Sequence, residues 1–240
     1  MRLDALLVAR GLFESRERAQ RALMAGTVEI DGRRAGKPGD RVRTDAAVTV
    51  LEPEKYVSRG GLKLEAALDA FGIDPAGREC LDIGASTGGF TDCLLQRGAA
   101  RVHALDVGRN QMHWRIRNDP RVVAREGINC RNLTAADIDG TPWLAVADVS
   151  FISLTLILPP AFELLDPDGC MVVLIKPQFE LSRDAVGKGG IVSDPVSHAA
   201  AVEKIRAFVM EKMGRKWSGI IDSPILGMTG NREFLACIRP

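Results

Sequence analysis

The 240-residue chain has little with which to staple itself together. Its five cysteines, Cys80, Cys93, Cys130, Cys170 and Cys237, are odd in number, and no two stand as Cys-x-x-Cys. That pattern speaks against a disulfide framework and against a structural zinc site. Isolated thiols in the core of a protein from a reducing compartment are expected instead. The three histidines, His103, His113 and His198, show no metal-ligand spacing either. No stretch approaches the roughly 20 uncharged apolar residues that cross a bilayer. The longest candidate, 151–165, is interrupted by Pro159, Pro160 and Glu163. The opening MRLDALLVAR carries Asp4 and lacks the apolar centre of a signal peptide. A soluble, cytoplasmic protein is expected.

Net charge is also scarce, at +1, and alone says little about partners. Its distribution is uneven. Residues 1–50 carry ten Lys/Arg against seven acids, and residues 97–131 carry eight Arg against three acids. Local basic surface of this kind suits a phosphate backbone, although a solvated charged face has the same composition. With 46% hydrophobic and 26% charged residues, the chain can bury a sizeable core in one large domain, or in a medium domain beside a small one.

Two parts are expected. In residues 1–52, Leu3, Leu6, Leu7 and Arg10 fit a helical stripe. Ser15 reads as the N-cap of a second helix through Arg16, Ala19, Ala22 and Leu23, ended by Gly26. Thr27 to Ile30 alternates as a strand, Asp31-Gly32 is a hairpin turn signal, and Ala47 to Leu51 forms another strand. Residues 53–57, with Pro53-Glu54-Lys55, read as a linker, and 58–240 as the larger domain. There strands are predicted at Glu79–Ile83, Arg101–Leu105, Val122–Arg125, Trp143–Ala147 and Cys170–Lys176. Helices are predicted at Gly89–Arg97, Thr155–Leu165 and Pro195–Lys212. The tail adds strands near Trp217–Ile221 and Phe234–Ile238. Apolar strands alternating with helices indicate an α/β domain with a largely parallel sheet covered on both faces.

The first strand of that domain runs into Asp82-Ile83-Gly84-Ala85-Ser86-Thr87-Gly88-Gly89-Phe90, a glycine-rich turn that opens a helix. Open α/β sheets bind ligands at this place. A nicotinamide fingerprint would read G-x-G-x-x-G, but Ser86 stands in the middle position, so the spacing suits methyltransferase loops better. Asp106 closes the next strand, 22 residues after Gly84, where a carboxylate can hold both ribose hydroxyls of an adenosine. Dinucleotide enzymes share that feature. Asp82 is expected to face the methionine end of the cofactor.

Methyl transfer from a sulfonium needs little activation of the donor, so the demand falls on the acceptor. A ribose hydroxyl is a very weak acid and must be aligned and relieved of its proton. A lysine flanked by cations and shielded from water can take that part, with carboxylates holding it. Lys63, Asp148, Lys176 and Glu233 are the candidates. Asp148 and Lys176 each end an apolar strand, so they should meet near the glycine loop. Taken singly, Lys63 is more often a solvated helix residue and Glu233 more often a surface acid.

These four, in this order, resemble the Lys-Asp-Lys-Glu tetrad of the FtsJ/RrmJ-like ribose 2′-O-methyltransferases. The resemblance implies a Rossmann-like class I methyltransferase domain with a mixed seven-stranded sheet. It implies Lys176 as the principal catalytic group, tuned by Asp148 and Lys63, with Glu233 on the acceptor side. It implies S-adenosyl-L-methionine held by Asp82, Gly84 to Phe90, Asp106, Val107, Asn129 and Asp148. The first 50 residues resemble an α+β S4 RNA-binding domain, carried by Arg2-Leu3-Asp4, Ser15 to Ala19 and Gly26 to Gly32. That implies RNA contacts by Arg2, Arg16, Arg18 and Arg21, joined by Arg59 of the matched Tyr56–Leu64 segment. The two parts in this order resemble the TlyA family, often labelled hemolysin A; Gly187 to Val192 match as well. The family implies 2′-O-methylation of cytidine in ribosomal RNA, with ribosomal subunits as partners. The short ends favour large-subunit RNA alone. Two rival expectations are a membrane-lytic protein, for which no span or export signal speaks, and an RNA-binding assembly factor with an idle methyltransferase domain.

Overall fold

Leu3, Leu6 and Leu7 are buried on one face of helix α1 (Leu3–Ala9), as the stripe predicts. The computed structural model describes residues 1–51 and 54–240. Glu52 and Pro53, where the first domain is expected to end and the linker to begin, lie outside the described residues. The chain divides into two units, Met1–Lys55 and Tyr56–Pro240. In the first, α2 (Arg16–Ala25) is capped by Ser15, whose side chain accepts from the Arg18 amide, and ends on Gly26 at φ 72°. Strand β1 (Val28–Ile30) turns through Asp31 and Gly32, both at positive φ, into the two-residue β2 (Arg33–Arg34). Strand β3 (Val48–Val50) pairs antiparallel to the other side of β1. Leu3, Leu7, Ala19, Leu23 and Val28 form the core of this unit.

The second unit begins with α3 (Gly60–Phe71), then β4 (Glu79–Ile83), α4 (Gly89–Gln96), β5 (Arg101–Asp106), the short α5 (Trp114–Arg117) and β6 (Val122–Glu126). It continues with β7 (Leu144–Ala147), α6 (Leu158–Phe162), β8 (Cys170–Ile175), the short α7 (Pro177–Glu180), α8 (Pro195–Ala207), β9 (Lys216–Asp222) and β10 (Phe234–Arg239). Among the described residues, seven strands form one sheet in the order β6-β5-β4-β7-β8-β10-β9. The first five of these run parallel, and β10 is inserted antiparallel between β8 and β9.

Period-two alternation explains why β8 is apolar throughout. Cys170, Val172 and Leu174 pack with Leu64 and Leu68 of α3 and Leu94 of α4. Met171, Val173 and Ile175 face the opposite way, with Leu158 and Phe162 of α6 and Ile205 of α8. A strand covered on both faces has no polar side to present. All five cysteines are buried in these layers. Burial pushes the Cys80 and Cys170 thiols up to about 12 and the Cys130 thiol up to about 11, so they are inert packing groups.

The helix predicted over Thr155–Leu165 is broken. A 3-10 turn at Leu154–Leu156 leads into α6, which starts with Pro159 and Pro160 in its first turn. A proline ring clashes with the carbonyl four residues earlier, so the prolines can open a helix but not sit inside one. The helix predicted to Lys212 is regular only to Ala207, and Phe208–Lys212 continues as a π-turn.

Candidate active site

The parallel strands β4, β5, β7 and β8 bring their carboxyl ends to one edge, and the expected site residues collect there. Gly84 leaves β4 at φ 82°; a Cβ at that position would lie 2.5 Å from the Asp148 carbonyl oxygen. Only glycine allows the loop to pass so close to the end of β7. Gly89, the first residue of α4, meets the start of α3: a Cβ there would collide with the Ser58 hydroxyl. This close approach sets α3 against the glycine loop, with Lys63 in its first turns.

Asp106 organises the loop. Its Oδ2 accepts from the Ser86 amide at 2.7 Å and its Oδ1 from the Gly108 amide at 2.6 Å. Gly84, Ser86, Asp106, Val107 and Asn129 line a cavity of about 490 Å³, floored by Ile128 and Ile157. Asn129 also caps the turn at Cys130–Asn132 by accepting from the Arg131 amide. Gly88 opens α4 in the left-handed region, close against Ile116, and is not among the residues that line this cavity. Asp82 lies deeper. It is fully buried, accepts a 2.6 Å hydrogen bond from Thr91 at Oδ2, and has no partner at Oδ1 among the described residues. Burial, with Asp148 and Asp106 nearby, pushes its carboxyl up to about 7.

A second cavity, of about 590 Å³, adjoins the first: Gly84, Ser86, Asp148, Ser150 and Phe151 line both. All four tetrad residues line this second cavity, with Arg59, Phe90 and the loop residues Ala85, Thr87 and Gly89. The tetrad forms two ion pairs. Lys63 Nζ lies 2.5 Å from Glu233 Oε2, and Lys176 Nζ lies 2.6 Å from Asp148 Oδ1. Glu233 reaches the site at the start of β10, and Lys176 stands just after β8. Antiparallel pairing of β10 with β8, which sets Phe234 opposite Ile175, brings these two ends together.

The sequence reading missed three contributors. Ser150 accepts a 2.8 Å hydrogen bond from Lys176 Nζ. Phe151 is 89% exposed and adopts φ 63°, a left-handed conformation that costs a β-carbon residue roughly 1–3 kcal/mol. Its ring lies 5.0 Å from that of Phe179, which in turn stands 5.9 Å from Lys176 Nζ. The available signal was an aromatic residue soon after each polar strand end, in Asp148-Val149-Ser150-Phe151 and Lys176-Pro177-Gln178-Phe179.

In the first unit, Arg2 and Arg16 both contact the buried Asp4, at 3.0 and 2.9 Å, and Gln20 donates to the same carboxylate. Arg2, then Gln20, holds the Asp4 carboxyl well below the usual carboxylate range. Arg18 pairs with Glu14, while Arg21 makes no ion pair among the described residues. All four arginines remain exposed.

Comparison with known proteins gives the family of each unit. The family model described as FtsJ-like methyltransferase matches residues 56–240, and the S4 domain model matches residues 1–48. The 16S/23S rRNA (cytidine-2′-O)-methyltransferase TlyA of Mycobacterium tuberculosis is 48% identical over 99% of this chain and 89% of its own length. Hemolysin A of Brachyspira hyodysenteriae is 44% identical over 98% of both chains. A solved chain from Streptococcus thermophilus described as a hemolysin superposes with a TM-score of 0.77 at 45% identity, covering 100% of this chain and 88% of that one. Among the described residues, no helix is long and apolar enough to cross a membrane. With the FtsJ-like model matching residues 56–240 and the S4 model matching residues 1–48, the chain belongs to the FtsJ-like methyltransferase family and carries an S4 domain ahead of its methyltransferase domain.

Proposed function

We propose that this chain transfers the methyl group of S-adenosylmethionine to the 2′-hydroxyl of a cytidine in ribosomal RNA, with large-subunit RNA as the target. The observation that carries the reading is the shared wall. A cavity with a carboxylate suited to an adenosine ribose opens, along Gly84 and Asp148, into a cavity holding the Lys63, Asp148, Lys176 and Glu233 tetrad. The cytidine and ribosomal parts rest on what the Mycobacterium tuberculosis relative is named for.

The residues present fit the cofactor. Gly84 leaves no Cβ in the passage beside Asp148, Asp106 and Asn129 line the half suited to adenosine, and Asp82 Oδ1 is a buried acceptor still free to take a donor. When bound, S-adenosylmethionine supplies an electrophilic methyl group. The chain supplies the rest. Lys176 Nζ, fixed between Asp148 Oδ1 and Ser150 Oγ, is placed to steer the ribose oxygen and receive or share its proton. Lys63 and Glu233, paired and nearly buried, line the same acceptor cavity. Phe151 and Phe179 give the mouth an apolar flank on which a nucleoside can rest while solvent is kept from Nζ. In the first unit, Arg2, Arg16, Arg18 and Arg21, with Arg59 at the cavity mouth, are the groups we assign to RNA phosphate. None of this machinery serves a lytic protein, whereas an idle domain would not require two paired lysines beside an open ribose site.

The test is a map of 2′-O-methyl groups in 16S and 23S ribosomal RNA from cells with and without the gene. One cytidine should lose its methyl on deletion. A copy carrying Lys176→Ala should fail to restore it, with transfer at least 100-fold slower in vitro and cofactor binding within a few-fold of normal. Full restoration by that variant would remove Lys176 from the chemistry.

A further inference from the structure

Glu180 is a carboxylate that the proposed chemistry does not use. It is only 4% exposed, and it lines neither cavity. Its Oε1 accepts from the Leu154 amide at 2.8 Å, and its Oε2 from the Ser153 hydroxyl at 2.6 Å and from Lys204 Nζ at 3.2 Å. Lys204, on α8, also donates to the Glu180 carbonyl oxygen at 2.5 Å. A buried carboxylate is tolerated only when donors surround it, and once satisfied it fixes the groups that satisfy it.

What it fixes is the segment that serves Lys176. Residues 148–154 and 176–180 meet in three places. Asp148 and Ser150 hold Lys176 Nζ, the Phe151 ring meets Phe179, and Ser153 and Leu154 meet Glu180. The first two contacts belong to the acceptor cavity. The third lies outside it and ties the far end of the same loop. Between the ends, Phe151 holds a positive φ, a conformation that persists only where the surroundings impose it. A loop so bent will relax when an anchor is lost, and Asp148 and Ser150 will move with it.

We propose that Glu180, held by Lys204, is a positioning residue for methyl transfer: it pins the 148–154 segment so that Asp148 and Ser150 keep Lys176 Nζ aligned with the acceptor oxygen. The proposal rests on the functional reading above. Glu180→Gln keeps the shape but puts an NH₂ group where an oxygen accepted, facing the Ser153 and Lys204 donors. Lys204→Met removes the cation from the half-exposed side, and Lys204→Arg keeps it.

The experiment uses the full chain and large ribosomal subunits purified from cells lacking the gene, with kcat, KM for subunits, the Kd for S-adenosylmethionine and the unfolding midpoint measured for each variant. Misplacement of a reacting group by about an ångström costs up to 100-fold in rate. Glu180→Gln and Lys204→Met should therefore lower kcat about 10- to 100-fold, with KM and Kd within twofold of normal, and Lys204→Arg should restore kcat. A lowered midpoint with kcat intact would make the pair a stabilising contact only and overturn the proposal. So would a fall in cofactor or subunit binding that accounts for the lost rate. Should Glu180→Gln fail to fold, a normal kcat for Lys204→Met overturns it. Absence of transfer by the unsubstituted protein would sink the functional reading and this proposal together, whereas normal rates in both variants would sink the proposal alone.

Discussion

Asp82 combines two demands that oppose each other. It sits inside an apolar strand with one oxygen unpartnered among the described residues, and burial raises its carboxyl from 3.8 to about 7. The sign of the consequence follows from proton counting. Between these two values the folded chain keeps a proton that the unfolded chain has released, so stability falls as pH rises through the window, and the loss is complete above about 7. At 1.36 kcal/mol per unit, the effect is on the order of a few kcal/mol. Urea unfolding at pH 5 and pH 8 should show Asp82→Asn losing less stability across that interval than the unsubstituted protein; equal losses would mean the carboxyl ionises normally. The sequence placed Asp82 just ahead of the glycine loop but could not give its depth, because nothing in Leu81-Asp82-Ile83 says that Thr91 closes over it. Phe151 was illegible for a related reason: its exposure comes from a backbone angle, not from its neighbours in the chain.

At the scale of elements, the strands were the legible part. Runs such as Cys170 to Ile175 are apolar because both faces are covered, and such runs end where polar residues resume. The carboxyl ends of β4, β5, β7 and β8 could therefore be placed, and with them Asp106, Asp148 and Lys176. The short elements were not legible. Trp114–Arg117 and Pro177–Glu180 are single turns that exist because of tertiary packing, too short to show a period. The glycine loop is where element geometry and chemistry depend on one another most closely. Gly84→Ala introduces a methyl group 2.5 Å from the Asp148 carbonyl oxygen, at a φ of 82° that alanine resists. The loop and the end of β7 must separate, so both cavities change. Calorimetric titration should show S-adenosylmethionine affinity falling at least tenfold, with an unfolding penalty of about 1–3 kcal/mol. Normal affinity would show that the close passage is not what shapes the cofactor site.

For the whole molecule, charge was the least reliable guide, and the structure explains why. Of the eight arginines in 97–131, Arg97, Arg101, Arg115, Arg117, Arg121 and Arg125 each pair with a carboxylate, several of them far away in sequence. Only Arg109 and Arg131 make no ion pair among the described residues. Counting residues along the chain cannot see partners such as Asp139 or Asp92, so an apparent basic run is largely neutralised on the surface. The same reasoning separates the arginines of the first unit, where Arg18 faces Glu14 while Arg21 makes no ion pair among the described residues. Each phosphate contact releases condensed counterions, and its loss lowers the slope of log affinity against log salt by about 0.7 to 0.9. Ribosomal RNA binding measured across a salt series should therefore lose close to one unit of slope in Arg21→Ala. Arg121→Ala should leave the slope unchanged, because Asp119 at 2.8 Å and the Leu95 carbonyl already occupy its guanidinium. If Arg121→Ala changes the slope and Arg21→Ala does not, RNA is held through the paired arginines of the larger unit, and the phosphate contacts assigned to the S4 domain are misplaced.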